Sequence, residues 1–316
     1  MMLPKPRGAF SADVFEALRS DPSRLTGGAL PDPESAEDAA VALWSLYELH
    51  FRGFEDVDDG MEWHPVVLEV RGRLERDLES RLRDRWDGGP PEGDFAESFF
   101  GYVAGHDGPS LARHVQKSAT REQVLDLLRV RSVYHLKEAD PTSWVMPRLS
   151  TAPKAALAEL QFDEYGAGNP NRLHHHLFAL GLEAVGLRAE YGAYVDDAPV
   201  EALEQNNAMA LFGLHRRLRG AALGHLAAFE ATSSVPSRWM AAGLERLGLD
   251  SAMCDYYKEH VTADAVHEQS AVRDICGSLL REEPGLRDDV YLGAFTCLDL
   301  ENRLAHWFLD RWEAAA

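Results

Sequence analysis

Residues 64–86 read HPVVLEVRGRLERDLESRLRDRW, and the placing of their apolar side chains decides the fold class. Val66, Val67, Val70, Leu74, Leu78 and Leu82 recur near a 3.6-residue period, so one stripe of an α-helix is apolar and the rest is charged. The same period returns along the chain. Ser35-Ala-Glu-Asp supplies an N-cap and an acidic first turn for a helix running through Ala39–Phe51. Further helices are expected at about Phe95–Ala104, Ser110–Gln116, Thr120–Glu138, Ala152–Glu164 and Pro170–Val185. The series continues at Pro199–Thr232, Ser237–Leu247, Ser251–Arg281 and Leu286–Ala314. Within Pro199–Thr232, Leu211, Leu214, Leu218, Ala221 and His225 trace one stripe. Only Tyr191, Tyr194 and Val195 hint at a strand, and a sheet needs several such runs alternating with turns. The chain reads as all-α.

Pro4, Pro6, Pro22, Pro31 and Pro33, with Gly27 and Gly28, predict a partly ordered arm over residues 1–34. It holds one short helix around Asp13–Arg19. Residues 35–316 read as a single helical domain: an N-terminal helical extension over 35–94, then a core over 95–316. The break at Gly88-Gly-Pro-Pro-Glu-Gly93 separates the two. No internal repeat of solenoid length is seen.

Bulk properties narrow the function. The 316 residues carry 32 Lys plus Arg against 52 Asp plus Glu, a formal charge of -20. So acidic a surface repels phosphate backbones and anionic lipid, which argues against nucleic-acid and membrane partners and for a small-molecule substrate. Cys254, Cys276 and Cys297 form neither a disulfide framework nor a thiolate zinc site. The opening MMLPKPRGAF lacks the apolar run of a secretory signal, and no stretch has the length of a membrane span. A soluble, cytoplasmic protein is the expectation.

The chemistry gathers in His260-Val-Thr-Ala-Asp264-Ala-Val-His267. At about 100° per residue, offsets of four and seven place all three polar side chains on one helical face. Two imidazoles flanking a carboxylate suit iron, manganese or zinc. One helix cannot complete a metal shell, so partners must come from elsewhere. Glu164 lies in an apolar-rich helix, Gly166–Pro170 can re-aim the backbone, and His174 follows. His174, His175 and His176 point about 100° apart, so at most one or two can face a common site; His174 is taken as the ligand, and His175 and His176 are expected to be structural or exposed. Glu230, beside Phe229 and small residues, is costly to bury unless paired or metal-bound, and reads equally as ligand or ordinary side chain. Glu138 has Lys137 and a helix end at hand, and on local sequence the ordinary reading leads.

Taken in order, Glu138, Glu164, His174, Glu230, His260, Asp264 and His267 resemble the haem-oxygenase-like di-iron oxidases and oxygenases, known in bacteria as iron-containing redox enzymes. The words around them are similar too: Leu136-Lys-Glu-Ala-Asp-Pro, Gln161-Phe-Asp-Glu-Tyr-Gly and Phe229-Glu-Ala-Thr-Ser-Ser. Tyr47-Glu-Leu-His-Phe-Arg-Gly-Phe resembles the family's N-terminal region, so the likeness spans roughly residues 36 to 312. It implies a seven-helix core that binds two iron ions instead of haem, with those seven residues as ligands; this lifts Glu138 above its local reading. It implies O2 as co-substrate and oxidation of a small amine, amino acid or carboxylic acid, by N-oxygenation, oxidative decarboxylation or C–C cleavage, in specialised metabolism. An external electron donor and a homodimer are compatible with it. Some members carry a further carboxylate three residues before the second-motif His; here that position is Asn171. Asp163, Glu259 and Glu268 are candidates to orient the ligands. The alternatives are a metal-free helical scaffold, a haem enzyme using His50, or a thiamin-directed enzyme using a cysteine.

Overall fold

The computed structural model describes residues 1–25 and 31–315, with the side chains of 262–265 outside that description. The described chain is all-α and contains no strand. Three helices precede the expected core, α1 (Ala9–Arg19), α2 (Ala36–Glu48) and α3 (Pro65–Arg85), and α4 (Phe95–Ala104) opens it. Next come α5 (Leu111–Lys117), α6 (Arg121–His135), the single turn α7 (Asp140–Ser143), α8 (Thr151–Glu164) and α9 (His174–Ala184). The chain closes with α10 (Val200–Leu214), α11 (Arg219–Arg246), α12 (Ser251–Gln269), α13 (Gly277–Glu282) and α14 (Arg287–Ala314).

Local chemistry starts these helices where the sequence puts it. Ser35 accepts from the Asp38 amide at the head of α2, and Thr120 with Gln123 forms a reciprocal capping box on α6. The Val67, Val70, Leu74, Leu78 and Leu82 stripe of α3 is buried. The N-terminal arm is more firmly placed than its prolines suggest. Its helix starts at Ala9, and Phe10, Val14, Phe15 and Leu18 are buried. The buried Asp38 carboxylate accepts from the Ser11 amide at 2.8 Å and from Phe10 at 3.3 Å, satisfying the first turn of α1.

Two expected helix boundaries are wrong. Pro199–Thr232 is not one helix, because the chain leaves α10 at His215 in extended backbone and resumes as α11 after a 3-10 turn. Arg148 donates to the carbonyls of Gly213 and Leu214, so the end of α10 is satisfied without a further turn. The expected gap before Ser237 does not exist either; α11 runs through Pro236. Hydroxyls accompany it: Thr232 donates to the Ala228 carbonyl and Ser233 to the Glu230 carbonyl. The Ser251–Arg281 segment is α12, a π-helical stretch at Ser270–Cys276, and α13. Tyr191, Tyr194 and Val195 form no strand; Val195 opens a 3-10 turn.

Helix α11 is the central element, packed along α12, α14 and α5. Its approach to α14 depends on two glycines. A Cβ on Gly224 would fall on the Val290 carbonyl, and one on Gly293 would fall on the Ala221 carbonyl. The backbones therefore touch, as side chains larger than hydrogen would prevent.

The N-terminal helices are tied to the rest by buried charge. Glu48, the last residue of α2, accepts from Lys137 Nζ at 3.2 Å and from the Tyr191 hydroxyl at 2.6 Å. Lys137 and Glu48 are both almost wholly buried, and the ammonium also lies over the Phe51 ring. Replacing Lys137 by Met leaves a buried anion without its cation and should cost roughly 3–5 kcal/mol. Lys137→Met together with Glu48→Gln should cost less than Lys137→Met alone. Urea denaturation of wild type, both single variants and the double variant checks this.

Candidate metal centre

Six of the residues singled out from sequence meet inside the bundle. Among the described residues, Glu138, His174 and His260 form one group whose donor atoms all lie within 4.8 Å of one another. Glu164, Glu230 and His267 form a second group on the same criterion, and all six are buried. The groups adjoin, since Glu164 Oε2 is 2.9 Å from His174 Nδ1 while its Oε1 is 3.6 Å from His267 Nδ1. Asp264 belongs to α12, but its side chain lies outside the described residues. Among the described residues neither His175 nor His176 enters a group, and both are only half-buried.

Helix ends and turns aim most of these donors. Glu138 stands just beyond α6, followed by Ala139 with φ 71°, a left-handed backbone that costs a non-glycine residue about 1–2 kcal/mol. The Ala139 carbonyl accepts from Gln161 Nε2 at 3.0 Å, which helps hold that turn. Lys137 does not neutralise Glu138 as the local sequence suggests, because it is committed to Glu48. Glu164 ends α8 and His174 opens α9. Between them Gly166 turns left-handed at φ 68°, where a Cβ would strike the Arg172–Leu173 backbone. That tight return brings the two residues together. Glu230 comes from the middle of α11, and His260 and His267 from two turns of α12.

Hydrogen bonds outside the groups fix the donors. His260 Nδ1–H donates to the Tyr256 carbonyl at 2.9 Å, which leaves Nε2 as the ring's lone pair, 3.7 Å from Glu138 Oε1. The Tyr256 hydroxyl donates to Glu138 Oε2 at 2.9 Å, and His135 Nδ1 lies 3.0 Å from that hydroxyl and 3.2 Å from Glu138 Oε1. His267 Nε2 lies 3.4 Å from Asp163 Oδ2, turning Nδ1 inward. Asp163 is thus the one orienting candidate that reaches a ligand candidate. Glu259 pairs with Arg172, and Glu268 with Gln269. Sequence reading missed Tyr256 and His135. Tyr256 lies one turn before His260 on the same face, a spacing that could have drawn attention to it.

The electrostatics suit a cation. Burial works against the Glu138 charge, yet His135 and His260 hold it well below the usual carboxylate range. Burial likewise opposes the charged form of His174, but the neighbouring Glu164 outweighs it and raises the pKa. His174 Nδ1 sits close to Glu164 without a hydrogen-bond direction to it, and His267 Nδ1 is likewise buried with no hydrogen-bond partner among the described residues. Imidazole and carboxylate atoms converging on a common space form a donor set that a bound cation can satisfy. The mixed oxygen and nitrogen donor set suits iron, manganese or zinc.

A cavity of about 30 Å³ opens beside the groups, bounded by Glu138, Glu164, Glu230 and His260 at one end. No cysteine lines it. Cys254, Cys276 and Cys297 are buried, and burial pushes the Cys276 and Cys297 thiols up, away from the reactive thiolate. His50 has Glu62 at one ring nitrogen and Arg71 at the other. The thiamin and haem alternatives lose their required residues. No described helix is long and apolar enough to cross a membrane.

The metal-free protein should become less stable as pH rises. Burial disfavours charged His267, but Glu230 and Glu164 overcome this and push its pKa up to about 9. The unfolded value is about 6.5, so the stabilisation is complete below that pH and lost as pH climbs through about 9. Melting of the metal-free protein between pH 6 and 10, beside His267→Gln, checks this; the variant should show a flatter decline.

A family model described as iron-containing redox enzyme matches residues 125–302, more than half of the chain. No curated protein matches it.

Proposed function

The chain belongs to the iron-containing redox enzymes, and from that premise we propose that it is a non-haem di-iron oxidase or oxygenase acting on a small organic substrate with O2. The observation that carries this reading is the pair of adjoining carboxylate–histidine groups, each of a size to hold one ion, with Glu164 between them. In this reading Glu138, His174 and His260 would hold one iron, and Glu164, Glu230 and His267 would hold the other. Asp264, one turn from both His260 and His267, is assigned to the same shell by its helical register.

Bound ferrous iron supplies the electrons that begin O2 reduction. The protein's part is to hold and orient the ligands. Glu138 is kept anionic and oriented by Tyr256 and His135, and His260 is kept in the tautomer that presents Nε2. The carboxylates suit the harder ferric state and the imidazoles the ferrous state. Leu160, Met209, Phe212, Leu226 and Phe229 line part of the cavity beside the site. Complete reduction of O2 to water takes four electrons. A substrate oxidised by two leaves two to be supplied, so an external electron donor belongs to the scheme. The substrate is an amine, amino acid or carboxylic acid, and the outcome is N-oxygenation, oxidative decarboxylation or C–C cleavage.

Anaerobic loading with ferrous iron should give close to two irons per chain, and Mössbauer spectra should show coupled iron after O2 is admitted. His260→Ala and His267→Ala should each lower the stoichiometry and abolish coupling, with the fold retained by circular dichroism. Trace iron in the loaded wild type would sink the proposal.

A further inference from the structure

One polar atom beside the metal groups lacks the partner that burial demands. The cavity there measures about 30 Å³, room for one or two water-sized molecules. Gln161 of α8 lines it together with Glu138, Glu164, Glu230 and His260. Gln161 is 2% exposed, and its Oε1 is buried with no hydrogen-bond partner among the described residues.

Turning the amide over does not relieve this. Nε2 donates to the Ala139 carbonyl and to Ser143 Oγ, at 3.0 Å each, so both of its hydrogens are used. The second of these bonds heads a chain with one direction. The Tyr165 hydroxyl donates to Asp140 Oδ1 at 3.0 Å, so its oxygen accepts from the Ser143 hydroxyl at 2.8 Å, and Ser143 Oγ is left to accept from Gln161. Exchanging the two amide atoms would set an oxygen against the Ala139 carbonyl, acceptor against acceptor. Oε1 is therefore fixed as an acceptor, and a buried acceptor without a donor loses the bond it made to water. Tyr134 and Thr142 also line the cavity, but neither hydroxyl donates to Oε1. The ionised carboxylates have no hydrogen to give. The donor that Oε1 requires is thus an occupant of the cavity.

Resting on the di-iron reading, we propose that Gln161 is a positioning residue, whose Oε1 holds an O–H or N–H ligand of one or two non-hydrogen atoms against the metal groups. Water and hydroxide are of this class. The volume excludes a carbon chain, so the ligand is a small co-reactant and not the organic substrate. An ion of similar size without a hydrogen would meet only the lone pairs of Oε1 and gain nothing from it.

The test uses the full chain loaded with zinc in place of iron, so that no probe is oxidised or reduced. Hydroxylamine supplies the hydrogen-bearing probe and fluoride the hydrogen-free one, with affinities measured by calorimetry. Hydroxylamine should bind Gln161→Leu roughly 3- to 10-fold more weakly than wild type, the span of one neutral hydrogen bond. Fluoride should bind the variant at least as tightly as wild type. A structural role alone, in which loss of the Nε2 bonds loosens the Ala139 turn, would weaken both probes together, and that outcome overturns the assignment. A crystal structure of the zinc-loaded wild type needs no variant. It should show an ordered solvent oxygen roughly 2.5–3.0 Å from Oε1; a protein donor on Oε1, or no solvent there, overturns the proposal. Iron uptake by the same preparation separates the two readings. A wild type that takes up no iron refutes the di-iron centre and this site with it, whereas one that loads two irons but fails the probe or solvent test refutes only the role of Gln161.

Discussion

Three carboxylates, Glu138, Glu164 and Glu230, are buried together in the interior of a helical bundle, and the rest of the structure answers to that fact. Ionised carboxylates taken out of water need compensation at short range. Here the compensation on offer is imidazole. His267 is pushed toward its charged form and His174 in the same direction, each by carboxylates within 4 Å. A proton on an imidazole is thus the metal-free substitute for a metal ion. Exchange of one for the other links metal affinity to pH, since the ligands must shed their protons first.

The scaffold around this charge is correspondingly stiff. Backbone contact between α11 and α14 at Gly224 and Gly293 fixes the helix that carries Glu230. The segment carrying Glu138 is held on two sides, by Lys137 reaching Glu48 of α2 and by Gln161 of α8 bonding the strained Ala139 turn. Strain of this kind persists only where the surroundings over-determine it. The N-terminal helices therefore do more than cover the core, since one of them supplies the anion that keeps Lys137 away from Glu138.

The formal charge of the whole chain says little about the site. The surface is acidic, yet the small cavity beside the metal groups is lined by Leu, Met and Phe side chains together with uncharged Tyr134, Thr142 and Gln161.

By itself the sequence determined the all-α class, the helical stripes and the presence of a carboxylate–histidine set, because helical periodicity, capping residues and ligand spacing within one helix are local properties. It placed His260 and His267 on one face from a two-turn offset, and it marked Glu164 and His174 by the glycine-rich return between them. Local signals misjudged the rest. Pro236 suggested a break that hydroxyls and packing override, and no local feature announced the true break at His215, which depends on Arg148 reaching across from 65 residues away. Lys137 looked like the partner of its neighbour Glu138, whereas folding gave it to Glu48, 89 residues earlier in the chain. The roles of Tyr256 and His135 were likewise decided only in three dimensions. Charge compensation and hydrogen bonding act through space, between helices whose relative placement the packing of the core sets.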